Sequence, residues 1–153
     1  MMSNLSLLVL LPLLAAVGAA AAPRWPAIWG LIATILNAVL ALWLVQDLLQ
    51  NGARDVAIGG WIAPLGILFV ADGLAALMVL MTAGVGIAVA LQATSWGVWP
   101  SSDIFDDDDA SLSAGFWPLW LATLGAMNAL FLSGDLFNVY VAFEILLAHR
   151  IVS

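Results

Sequence analysis

The sequence predicts an all-α membrane protein of about five transmembrane helices, and three observations carry that reading. Of its 153 residues, 65% are hydrophobic and 8% charged, with a mean hydropathy of +1.12; a soluble domain is about half apolar and about a quarter charged. The apolar residues fall in runs near the roughly 20 residues that a helix needs to span hydrocarbon. Tryptophans cluster near the ends of those runs, at Trp25 and Trp29, Trp96 and Trp99, and Trp117 and Trp120, as in interfacial aromatic belts.

Residues 1–92 read as three spans with their loops. The first apolar run is Leu5 to Ala22. Ala19 to Ala22 imitates a small-residue cleavage site, but no Lys or Arg precedes the run, so it reads as a retained span rather than a signal peptide. Pro23-Arg24-Trp25-Pro26 breaks the chain, because proline lacks an amide proton and restricts its predecessor. A second span is expected from about Ala27 to Leu49, with Gln46 and Asp47 at its wet end. Asn51 to Gly66, rich in glycine and with a short alternating stretch at Val56-Ala57-Ile58, reads as an extramembrane loop with room for a small hairpin. The third span is expected from about Ile67 to Gln92. Asp72 in its first turns is an interfacial cap, favoured there by the helix dipole.

Residues 93–115 read as a polar acidic loop, and 116–153 as a fourth helix from Phe116 to Leu132, the turn Ser133-Gly134-Asp135, and a fifth helix from about Leu136. Arg24 and Arg150 fall on one side of this arrangement and Arg54 on the other, so the positive-inside rule leans toward an outside N-terminus.

The formal charge of −7 comes largely from Asp103 and Asp106 to Asp109. It argues against nucleic acid, because almost nothing could neutralise phosphates. The aspartate run lacks the glycine and distal glutamate of a calcium loop and reads as a solvated surface. Absence of cysteine excludes disulfides and thiolate metal sites. No nucleophile triad, phosphate loop or dinucleotide fingerprint appears, and a specific metal site is not expected.

Glu144 stands out. It lies in the otherwise apolar stretch Val139-Tyr140-Val141-Ala142-Phe143-Glu144-Ile145-Leu146-Leu147. Counted from Leu136 at about 1.5 Å per residue it lies roughly 12 Å along the helix, near the middle of a core about 30 Å thick. A charged side chain there costs about 2.5–3.5 kcal/mol on insertion scales. A carboxyl that changes charge at that depth suits a proton carrier, and it is expected to be buried in protein; the bland reading is a helix–helix hydrogen bond. Tyr140, one turn earlier on the same face, is placed to bond it or simply to pack. Asp135 is an N-cap or a proton entrance, and Asn138 a supporting polar group or helix–helix contact. Asn128 in the fourth span reads as a helix–helix hydrogen bond.

The stretch Gly134-Asp135-Leu136-Phe137-Asn138-Val139-Tyr140-Val141-Ala142-Phe143-Glu144 resembles the Gly-Asp-Leu-Phe-Asn-Leu-Tyr-Val-Phe-Phe-Glu motif of the D subunit of Mrp-type monovalent cation/proton antiporters. Gly59-Gly60-Trp61-Ile62-Ala63-Pro64-Leu65-Gly66-Ile67 and Val70-Ala71-Asp72-Gly73-Leu74-Ala75-Ala76-Leu77-Met78 are similar to further segments of that family. The likeness covers nearly the whole chain, and antiporter-like subunits of respiratory complex I (NADH-quinone oxidoreductase) are the close alternative.

The resemblance implies the N-terminal fragment of a fold of about fourteen helices, with a proton channel built from broken helices in inverted repeats. It implies that Glu144 matches the family's essential glutamate, whose lysine partner lies on a later helix; this chain has no lysine. It implies a multi-pass subunit of the bacterial inner membrane, working in a hetero-oligomer with other subunits and exchanging Na+ for protons without a cofactor. The family continues after Leu147 with a run such as Leu-Ile-Ala-Ser-Tyr, where this chain reads Ala148-His149-Arg150-Ile151-Val152-Ser153. Codons exist for that tail which, read one base later, give Leu-Ile-Ala-Ser-Tyr. A frameshifted product, truncated and inactive alone, is therefore expected, and the gene's own bases test it. A small membrane scaffold that transports nothing is the alternative from another class.

Overall fold

The computed structural model describes residues 2–21, 26–58, 67–95, 107–134 and 136–152. These form five helices and one small sheet in the order α1 (Met2–Ala21), α2 (Pro26–Asn51), β1 (Arg54–Ile58), β2 (Ile67–Ala71), α3 (Gly73–Ser95), α4 (Asp107–Leu132) and α5 (Leu136–Val152). Among the described residues, Ala27–Asn51, Gly73–Thr94 and Gly115–Leu132 are long and apolar enough to cross a membrane, and Leu5–Ala21 is a shorter apolar helix.

The side chains are distributed as a bilayer requires. Helix interfaces are lined by small residues: Ala16, Ala33, Ala41, Ala76, Ala83, Ala90, Ala126 and Ala129 are all buried. Large apolar groups point outward, among them Leu14, Val17, Ile35, Val39, Leu77, Met81 and Leu91. In lipid, tails are as apolar as leucine, so close backbone approach and hydrogen bonds, not apolar burial, hold helices together. The chain is a multi-pass membrane protein.

Helix α4 is the hub. It packs most extensively on α1 and also meets α2, α3 and α5, while α2 lies against both α1 and α3. Two glycines allow its close approaches. A Cβ on Gly30 of α2 would lie 1.9 Å from the Trp117 ring, and one on Gly125 of α4 would lie 2.8 Å from Leu13. Trp117 is fully buried and meets Phe116 edge-on, with ring centroids 5.3 Å apart. This corrects its expected place in an interfacial belt: the ring fills the interior beside Gly30. Trp120 is half-buried, and its indole Nε1 has no hydrogen-bond partner. Trp29 is 47% exposed, as a membrane-facing ring should be.

Among the described residues, the interior also holds three polar side chains, Thr34, Asn37 and Asn128, each at most 1% exposed. Thr34 Oγ1 donates to the Gly30 carbonyl at 2.7 Å within α2. Asn128 Nδ2 donates to the Leu8 carbonyl at 2.8 Å and to Asn37 Oδ1 at 2.7 Å. The first of these has a cause in the sequence. Pro12 lies inside α1, and proline has no N–H to give to the carbonyl four residues earlier. That carbonyl belongs to Leu8, and Asn128 supplies the missing donor from α4. The helix–helix role expected for Asn128 is thus present.

Three boundaries differ from the sequence expectation. Ile67–Ala71, read as the start of a span, is strand β2, paired antiparallel with β1 from Arg54↔Ala71 to Ile58↔Ile67, so a small sheet accompanies the helices. Helix α3 begins only after Asp72, which caps it: Ala75 N–H donates to Asp72 Oδ1 at 2.7 Å and Ala76 N–H to the Asp72 carbonyl at 3.0 Å. Helix α4 runs back to Asp107, so the end of the expected acidic loop is already helical. At the end of α2, Gly52 takes a positive φ of 76° and donates to the Leu48 carbonyl at 2.9 Å, a left-handed cap that glycine adopts without strain.

Candidate functional site

The site expected from the sequence lies on α5, and the entry to that helix is tied to the sheet. Ser133 bridges Phe69 of β2, and Gly134 N–H donates to the Leu68 carbonyl at 2.8 Å. A Cβ on Gly134 would lie 2.5 Å from Val70 Cγ2, so the turn needs glycine to dock against the strand. Asp135, which follows, lies outside the described residues. Asn138 is on the first turns of α5; what its amide meets is outside the description as well.

Helix α5 rests against α4, and Ala142, 1% exposed, joins the core cluster that includes Ala129 and Leu132. Tyr140, Phe143, Glu144 and Leu147 follow i, i+3, i+4 and i+7 spacing and form an outer face. Tyr140 is 61%, Phe143 49% and Leu147 55% exposed, and Glu144 is exposed with them. The expectation that Glu144 is buried in protein is therefore not met by this chain. The physical reason is the rotation of α5: with Ala142 turned into the core, the glutamate two residues on points away from α1–α4. The structure places Tyr140 and Glu144 one turn apart on this outer face, where phenol and carboxyl influence each other electrostatically.

Asn37 was not singled out by the sequence reading, although it is as deeply buried as Asn128 and is its partner. The signal was present: an amide inside the apolar run Ile35-Leu36-Asn37-Ala38-Val39 is as costly in lipid as one inside α4. Asn37 Nδ2 and Asn128 Oδ1 are buried without hydrogen-bond partners.

Over 120 residues, 78% of its length, the chain is 34% identical to the D subunit of a Na(+)/H(+) antiporter of Bacillus subtilis (strain 168). It is 33% identical over 109 residues to the D subunit of a Na(+)/H(+) antiporter of Alkalihalophilus pseudofirmus, and 37% identical over 97 residues to the D subunit of a probable K(+)/H(+) antiporter of Rhizobium meliloti. The chain belongs to the family of antiporter D subunits. It spans about a fifth of the length of these family members: 22%, 20% and 16% respectively. No family model matches it. In fold, this antiporter D-subunit relative is similar to a chain of the membrane-bound sulfane sulfur reductase, an archaeal respiratory membrane complex. The TM-score is 0.74 over 95% of this chain and 28% of that one, with 24% identity. That likeness concerns the fold alone.

Proposed function

We propose that the chain serves a multisubunit monovalent cation/proton antiporter, with Glu144 as a proton carrier and Tyr140 holding its carboxyl. The observation that carries the reading is the Tyr140–Glu144 pair on α5, in a family whose named members are Na(+)/H(+) and K(+)/H(+) antiporter subunits. A carboxylate at mid-bilayer depth is costly and is placed against other protein or water, where gaining and losing a proton is consequential. The outer face of α5 therefore belongs against further protein of the antiporter, including its other subunits. Asp135 is the proton entrance at the head of α5, and Asn138 supports it from the following turn. The exchanged cation is Na+, the ion named for the Bacillus subtilis relative.

The test is Glu144→Gln in the chain assembled with its partner subunits in inverted membrane vesicles. Collapse of a preformed pH gradient on adding Na+ or K+ should be abolished, with assembly unchanged. Exchange at the unsubstituted rate would refute the assignment.

A further inference from the structure

Between the end of α2 and strand β1 a cavity of about 170 Å³ opens, lined by Trp43, Asp47, Leu48, Arg54 and Val56 among others. Its setting is that of a bilayer interface. It lies at the last turns of a helix apolar enough to span, beside a half-buried tryptophan of the kind enriched at headgroup level. Its size is below the roughly 300–1,000 Å³ of pockets for drug-sized ligands. It suits a small group, not a whole lipid.

Its chemistry is mixed in a specific way. The chain has only three basic residues, and Arg54 of β1 lines this cavity together with an acid of a different element, Asp47 of α2. Asp47 is half-buried and accepts from Asn51 Nδ2 through Oδ1 at 2.7 Å; a carboxylate has further lone pairs on its second oxygen. The C-terminal end of α2 adds the negative end of a helix dipole beside Asp47. The Asp47 side therefore favours a cation and the Arg54 side an anion, while Leu5, Leu44 and Leu48 offer an apolar wall.

We propose that this cavity binds the headgroup of a zwitterionic phospholipid bearing a primary ammonium, phosphatidylethanolamine. Its ammonium is held by Asp47 and its phosphate by Arg54, with the acyl chains leaving along α2. An ammonium offers three hydrogen-bond donors to a carboxylate. The quaternary amine of phosphatidylcholine offers none, and phosphatidylglycerol brings no cation for Asp47. The site is independent of Glu144.

The test is native mass spectrometry of the intact chain titrated with each of these three lipids. Phosphatidylethanolamine should be retained about tenfold better than either of the others, the scale of one charge-assisted contact. Asp47→Asn should reduce that preference to near unity, and Arg54→Gln should lower retention of all three lipids, which share the phosphate it holds. Val56→Trp, which fills the cavity and keeps both charges, should lower phosphatidylethanolamine retention to the same level. Equal retention of all three lipids by the unsubstituted chain would overturn the proposal, as would a preference that survives the Val56→Trp filling.

Discussion

The amide of Asn128 lies 2.7 Å from Asn37 Oδ1, joining α4 to α2 through the protein interior. The same nitrogen reaches the Leu8 carbonyl on α1 at 2.8 Å. One NH2 group thus spends both protons on two different helices, and its orientation is fixed by them: a carbonyl on that side accepts and cannot donate.

Replacing Asn128 with leucine should destabilise the chain by about 1–3 kcal/mol, because it strands a buried carbonyl and Asn37 together. The cost should be smaller in a Pro12→Ala background, where α1 regains its own donor for Leu8. A double-mutant cycle on unfolding in mixed micelles measures this coupling. Strict additivity would show that proline and amide are unconnected.

At Gly30 the question is space. Alanine there would drive a methyl into the rigid Trp117 ring, at 1.9 Å, and overpacking of this kind costs about 1–3 kcal/mol. Gly86→Ala is the control, since its nearest neighbours lie at 3.6–3.7 Å. Thermal melts should separate the two, with Gly30→Ala lowered and Gly86→Ala near the parent.

Asp72→Ala removes the side-chain acceptor from the Ala75 amide and should cost about 0.5–2 kcal/mol. Asp72→Asn keeps a cap and should cost less. Hydrogen exchange would localise the effect, with the Ala75 amide losing protection first and mid-α3 amides unchanged.

Tyr140→Phe leaves the ring and removes the hydroxyl proposed to hold the Glu144 carboxyl. Cation-driven proton exchange in vesicles should fall by about three- to tenfold, the loss of one hydrogen bond of ordinary net strength. It should stay well above the Glu144→Gln level. An unchanged rate would leave the phenol a packing group only.

Helices were legible where apolar runs met breakers: α2 begins at Pro26 and α5 at Leu136, within a residue of the starts that the sequence predicts. Strand β2 was not, because Ile67-Leu68-Phe69-Val70-Ala71 joins the apolar run of α3 without interruption, and a short apolar segment fits strand or helix equally. Its two β-branched residues, its phenylalanine and the cap at Asp72 were the available signals. That Tyr140 and Glu144 share one face of α5 followed from helical spacing. The direction in which that pair points did not, since it depends on how α5 rolls on α4, which the small Ala142 decides. Trp117 shows the same gap: its position in the run was readable, but the glycine notch at residue 30 that admits it lies 87 residues away on another helix.

The donor that α1 lacks arrives late. Leu8 is made at the very start of synthesis, yet the amide that satisfies its carbonyl is 120 residues further along the chain. Hydrocarbon offers no substitute for that bond. During biogenesis the first helix must therefore linger beside water or the insertion machinery until the fourth is delivered, which couples the order of translation to the order of assembly.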